Sequence, residues 1–223
     1  MIKTIIFDFN GTMIFDSQLQ HQAWEMTLSK EFKHRMTEEE FQNQICGRNN
    51  KYTFNYFADH KLKDSTVDNY SQAKEIIYRK ICLSRPESFK LVKGLPDFLD
   101  HCIENNININ IATASEMYNV EFFFKHLHLE KWFDINKVVA NDGTLPGKPE
   151  PDMFLQAIKN VDGEPNTTMI FEDSLTGLKG AHNAKVAETI MVNDPDEPNI
   201  ALPSELIIAR RIQNFENMYT VVV

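Results

Sequence analysis

Ile2-Lys3-Thr4-Ile5-Ile6-Phe7-Asp8-Phe9-Asn10-Gly11-Thr12 is the stretch that decides the fold, because an apolar run passes directly into a polar turn. Residues 4–9 read as a buried β-strand. The strand delivers a carboxylate, Asp8, to its carboxyl end, and a glycine turn and a hydroxyl follow. In a parallel α/β sheet ligands bind at that edge, so Asp8 reads as a nucleophile. Taken alone, the segment also reads as a polar hairpin turn, since Asn-Gly is a frequent turn signal.

Working outward, further strands are expected at residues 107–113, 137–140, 168–172 and 187–192, with a shorter one at 206–208. Helical patterns lie between them at 96–104, 117–128, 152–160 and 175–184. Alternating strands and helices imply right-handed crossovers and a Rossmann-like, doubly wound parallel sheet of the α/β class. Residues 107–111 alternate isoleucine with Asn108 and Asn110, which reads as one apolar and one polar face.

Residues 18–85 break the alternation. They show helical patterns at 19–30, 38–45, 52–60 and 67–84, with Trp24, Phe41, Phe54, Phe57 and Tyr78 on the apolar faces. An inserted α-helical cap domain over residues 16–90 is therefore expected, with residues 1–15 and 91–223 forming the core. Pro86 and Lys93-Gly94-Leu95-Pro96 mark the return.

The 223 residues are 42% hydrophobic and 25% charged, with a formal net charge of -9, which suits a soluble acidic protein with one core of ordinary size or a core with a modest insertion. No basic run points to nucleic acid, and no apolar stretch approaches the ~20 residues of a membrane span. Lys3 and Asp8 interrupt any secretory apolar segment. Cys46, Cys82 and Cys102 are far apart and form no CxxC, so they read as reduced thiols of a cytoplasmic protein. A monomer is expected.

Four separated segments end strands or open helices with reactive groups. They are Asp8 with Asn10-Gly11-Thr12, Thr113-Ala114-Ser115, Lys148 within Gly147-Lys148-Pro149-Glu150-Pro151-Asp152, and Glu172-Asp173-Ser174. A parallel sheet brings such ends to one edge. The inventory becomes a carboxylate nucleophile, hydroxyls, an ammonium and an acidic pair able to hold a hard cation such as Mg2+. Phosphoryl transfer needs positioning and charge neutralisation, which this set supplies. Glu172-Asp173-Ser174 also reads as ordinary helix-capping chemistry.

With these segments the chain resembles the haloacid dehalogenase superfamily, in its β-phosphoglucomutase-like subgroup with a helical cap after the first motif. The carrying residues are Phe7 to Thr12, Ala112 to Ser115, Gly147 to Asp152 and Phe171 to Gly177. The resemblance implies that Asp8 attacks phosphorus and becomes an aspartyl phosphate. Thr113 and Lys148 would hold the transferring group. Asp173, supported by Glu172, would hold Mg2+ with Asp8 and the main-chain carbonyl of Asn10. His21, Gly47 and Arg48 of the cap, with Ala114 and Ser115, would contact the substrate; His21 also reads as a surface helix residue. The implied activity is a Mg2+-dependent phosphatase acting on a small phosphorylated metabolite resembling a sugar phosphate.

The chain departs from this pattern at Asn10. The resemblance implies an aspartate there, which protonates the leaving oxygen and then activates water. An amide carries no such proton, and losing a general acid costs ~10²–10⁴ in rate. Four accounts follow: an Asp→Asn change made to trap an intermediate, a substrate whose leaving group needs no proton, a weakly catalytic phospho-ligand-binding relative, or deamidation of Asn10-Gly11. A phosphosugar mutase is the alternative activity, but Glu116 after Ser115 opposes a second phosphate. Lys51 lies near the place of the Schiff-base lysine of phosphonoacetaldehyde hydrolase, without matching spacing.

Overall fold

The computed structural model describes residues 1–46 and 48–221, and the chain divides into two compact units, Asp16–Phe89 and Met1–Phe15 with Lys90–Val223. The first contains α1 (Ser17–Phe32), α2 (Glu38–Glu40, continued by a π-helical turn over Phe41–Ile45), α3 (Asn50–Ala58) and α4 (Asp64–Ser84). The second contains α5 (Leu95–Glu104), α6 (Met117–Leu127), α7 (Asp152–Lys159) and α8 (Leu175–Asn183) around one sheet.

That sheet has five strands, β1 (Thr4–Phe7), β2 (Asn108–Ile111), β3 (Thr168–Glu172), β4 (Glu188–Val192) and β5 (Arg210–Ile212). Every pairing is parallel, in the order β2-β1-β3-β4-β5. β1 and β3 are buried along their whole length, as continuous apolar runs in a parallel sheet must be. The chain moves outward from β1 to β2 and then crosses back to β3, so the winding reverses between β1 and β3. Ligand crevices open at the carboxyl ends of strands at such a point.

The sheet is covered on both faces. Ile6 and Ile170, paired in register, pack against Met153, Phe154, Ala157 and Ile158 of α7 and Ala181 of α8. On the other face Phe7 and Phe171 stack with centroids 5.2 Å apart, edged by Phe98 of α5 and by Phe215. These offset and edge-on aromatic contacts add to the burial energy and fix the register of β1 against β3.

Three expectations are corrected. Residues 137–140 form no strand: Val139 makes one parallel bridge to Ala112, preceded by a 3-10 turn at Ile135–Lys137. The reason is Asn110, which is 1% exposed rather than on a polar face; its amide donates to Lys137 O at 2.7 Å and Ala157 O at 3.0 Å. That bond takes the carbonyl a ladder would need. Residues 206–208 are also irregular, with Leu206 buried against Leu178 and Met191. Pairing begins instead at β5, whose exposed Arg210 and Arg211 suit an edge strand.

In the helical unit, Trp24, Leu28, Met36, Phe41, Ile45, Phe54 and Val67 form the core. Beside it runs a buried polar chain. Tyr78 Oη and Gln20 Nε2 both donate to Asp16 Oδ2, while Lys74 Nζ reaches Gln20 Oε1 and Glu75 Oε1. Each buried charge there has a partner, as burial requires. Cys82 and Cys102 are free and buried, and burial pushes their thiols up to about 12, so they are poor nucleophiles. Among the described residues no helix is long and apolar enough to cross a membrane.

Candidate active site

The β1–β3 ladder continues one residue beyond β1, because Asp8 N donates to Phe171 O at 2.9 Å. That bond sets Asp8 beside Glu172. The chain then turns sharply: Met13 N donates to Phe9 O, Gly11 N donates to Ile14 O, and Gly11 takes φ +79°. A Cβ on Gly11 would lie 2.1 Å from Asp173 Oδ2, so the turn needs glycine for both its backbone and its close approach. Thr12 Oγ1 donates to Asp173 Oδ1 at 3.1 Å, tying the first motif to the last.

Lys148 reaches the same point from the loop before α7. Its Nζ is bonded to Asp8 Oδ1 and, at 2.7 Å, to Glu172 Oε1, and it lies 4.9 Å above the Phe154 ring. The second oxygen of Glu172 accepts from Ser174 N at 2.6 Å and Ser174 Oγ at 3.0 Å. Ser174 in turn caps α8 by accepting from Gly177 N. The capping reading of this segment holds at Ser174, while Glu172 turns its carboxylate to Lys148. A Cβ on Gly177 would lie 1.7 Å from Glu172 Oε1, so this glycine leaves room for the carboxylate.

Asp8, Glu172 and Asp173 can present one oxygen each within 4.8 Å of one another. The Lys148 ammonium is bonded to two of them, Asp8 and Glu172. Burial works against the Lys148 charge, but Asp8 and Glu172 outweigh it and hold its pKa above the usual lysine range. Burial, then Glu172 and Asp8, push Asp173 well above the usual carboxylate range. That excess of negative charge and the all-oxygen donor set fit a hard divalent cation. Glu172, already holding Lys148 and Ser174, is suited to support Asp8 and Asp173 in that task.

The remaining core residues face the loop after β2. Thr113 Oγ1 accepts from Ser115 N at 3.1 Å, with Ala114 between them, and Ser115 O accepts from Asn141 N. Ser115 Oγ donates to Asn10 Oδ1 at 2.8 Å. The bond of Thr12 to Asp173, the room Gly177 leaves for Glu172 and the role of Asn141 had no separate signal in the sequence. The serine cap of α8 was legible; the long-range bonds were not.

His21 and Arg48 belong to the helical unit. His21 lies edge-on to Phe41 with its Nε2 3.8 Å from Glu38 Oε2, and Arg48 stacks over Tyr52 at 4.5 Å. Gly47 lies outside the described residues. Lys51 pairs with Asp64 at 2.8 Å, and that bond raises its pKa. Schiff-base chemistry needs the opposite shift.

A doubly wound parallel sheet with its carboxylates gathered at the switch point is a Rossmann-like α/β core carrying an acidic cluster at its ligand-binding edge. Residues 5–192 match the family profile of haloacid dehalogenase-like hydrolases, and the chain belongs to that family. A crystal structure of an HAD hydrolase, family IA, variant 3, from Entamoeba histolytica superposes with a TM-score of 0.84 and is 31% identical, covering 96% of this chain and 94% of that one. Protein CbbY of Cereibacter sphaeroides is 27% identical over 82% of this chain and 81% of its own length. The fructose-1-phosphate phosphatase YqaB of Escherichia coli is 26% identical over 81% of this chain and 91% of its own.

Proposed function

We propose that this protein is a Mg2+-dependent phosphatase that passes the phosphoryl group of a small phosphorylated metabolite to Asp8 and then to water. The carrying observation is the meeting of Asp8, Lys148, Glu172 and Asp173 at one sheet edge, from segments as far apart in the chain as Asp8 and Asp173. The similarity to a fructose-1-phosphate phosphatase supports a phosphorylated sugar as the kind of substrate to test first.

In this reading Asp8 attacks phosphorus and the leaving oxygen departs. Lys148 keeps Asp8 ionised and offsets charge on the phosphoryl oxygens, which suits its firmly protonated state. Thr113 supplies a hydroxyl beside the phosphoryl group. Asp8, Asp173 and the carbonyl of Asn10 would hold Mg2+, with Glu172 in support. The cation supplies neutralisation of phosphoryl charge when bound. By the family resemblance residues 16–90 would serve as the cap that excludes water, with His21, Gly47 and Arg48 as its candidate substrate-contacting residues. Reduced, buried cysteines suit a cytoplasmic location.

A chromogenic phosphate ester tests this. Turnover that requires Mg2+ and vanishes in Asp8→Ala is expected. Ligand binding without turnover in any form would instead favour a phospho-ligand-binding protein, a reading that Asn10 keeps in view.

A further inference from the structure

Lys148 carries its N–H donors on a long, flexible stem, and they reach Asp8 Oδ1 and Glu172 Oε1. Its side chain is 1% exposed, so the ammonium is withdrawn from solvent. Beside it lies an aromatic face: Nζ sits 4.9 Å from the centroid of the Phe154 ring. An ammonium is attracted to the negative face of such a ring, and more strongly where water is excluded.

The ring is built into that place. Phe154 is the third residue of α7 and is fully buried in the cluster that holds Ile6 and Ile170 of the sheet. Gly180 of α8 leaves it room, because a Cβ there would lie 3.2 Å from Phe154 Cε2 and 3.4 Å from Glu150 O. The same helix leaves room for Glu172 at Gly177. Asn183, in its last turn, donates to Pro149 O at 3.0 Å, next to Lys148 in the chain. One helix thus seats the acid, the ring and the loop that bears the lysine.

The ring differs from Asp8 in one respect. Once Asp8 carries the phosphoryl group, its carboxylate is an acyl phosphate and no longer holds Lys148 as a free carboxylate does. The ring is neutral and unchanged through both transfers. Resting on the phosphatase reading above, we propose that Phe154 is a positioning residue: its ring face holds the Lys148 ammonium at the phosphoryl group while Asp8 is phosphorylated. Leucine fills much of the same space but offers no such face.

The test replaces Phe154 by Leu and by phenylalanines bearing increasing numbers of ring fluorines, which weaken the negative face with little change of shape. With Mg2+ and a chromogenic phosphate ester, kcat and kcat/KM are expected to fall together along the fluorine series, by about 2–30-fold in all. KM is expected to stay unchanged, as when an interaction made in the transition state is removed. Packing alone does not order the variants by ring charge. A second measurement is independent of activity. Fluorination is expected to lower the melting temperature where Lys148 is present and not in Lys148→Met, a double-mutant cycle that reads the contact itself. Equal cost of fluorination in both backgrounds, or an unchanged kcat along the series in a wild type that needs Asp8, overturns the inference alone. Turnover surviving Asp8→Ala overturns both it and the phosphatase reading.

Discussion

Ser115 Oγ donates to Asn10 Oδ1 across 2.8 Å, joining the loop after β2 to the turn after β1. Deamidation of an Asn-Gly pair requires the glycine nitrogen to attack the asparagine Cγ. Here Gly11 N is engaged with Ile14 O at 2.9 Å, and the amide is engaged by Ser115. Ring closure has to break both bonds. Asn10 should therefore persist in the folded protein and deamidate quickly once unfolded, with Ser115→Ala intermediate between them. Peptide mapping of native and urea-unfolded samples over days checks this; equal rates would refute the protection.

Lys148 carries the charge balance of the buried cluster. Replacing it by Met leaves Asp8 and Glu172 facing each other without a cation. Breaking a buried ion pair from one side costs about 3–5 kcal/mol, so Lys148→Met should lose that much in urea denaturation at neutral pH. Activity should vanish as well. The loss should shrink in acid, where the orphaned carboxylates take up protons.

Asp173 gives the pH dependence of the metal-free protein. Its folded pKa is raised, first by burial and then by Glu172 and Asp8. In the window from the ordinary aspartate value of about 3.9 up to that raised value, the folded state holds the proton more firmly than the unfolded one. Stability contributed by Asp173 therefore falls as pH rises through the window. A cation that binds the ionised cluster reverses the penalty and stabilises by mass action. Melting curves with EDTA and with Mg2+ should separate more at pH 8 than at pH 5. A gap independent of pH would count against Asp173 as a ligand.

Gly177 sets two effects against each other. Alanine is favoured over glycine inside a helix by about 1 kcal/mol. Its Cβ, however, would overlap Glu172 Oε1, which sits 1.7 Å from that point and is held by Lys148. Overpacking typically costs about 1–3 kcal/mol, so Gly177→Ala should destabilise the protein on balance. It should also weaken Mg2+ binding, measurable by calorimetry on the same sample. A more stable variant with normal binding would show that Glu172 moves aside freely.

The core motifs were legible because each joins a strand or helix end to a residue type that chemistry rarely needs elsewhere. Asp8, Lys148 and Glu172-Asp173 are such cases, and the structure brings them together. The central strands were legible for a similar reason, since burial on both faces writes continuous apolar runs. Edges carry no such mark: β5 has two arginines in three residues, while the more apolar 206–208 packs as coil. Asn110 was misread because a buried amide and a solvated one look the same in an alternating pattern. The bond between Ser115 and Asn10 spans 105 positions and leaves no local trace.

The strand order has a consequence for how this protein is made. Asp8 leaves the ribosome 140 residues before Lys148, and β1 lies between β2 and the later-synthesised β3. Asp8 thus waits for Lys148, and its strand keeps one flank open until β3 emerges. Sequence-distant pairings of this kind form slowly and leave sticky edges exposed meanwhile. The last members of the carboxylate cluster and the partner for the open flank of β1 both arrive with β3, so a chain stalled before it lacks the cluster and exposes a strand edge at once.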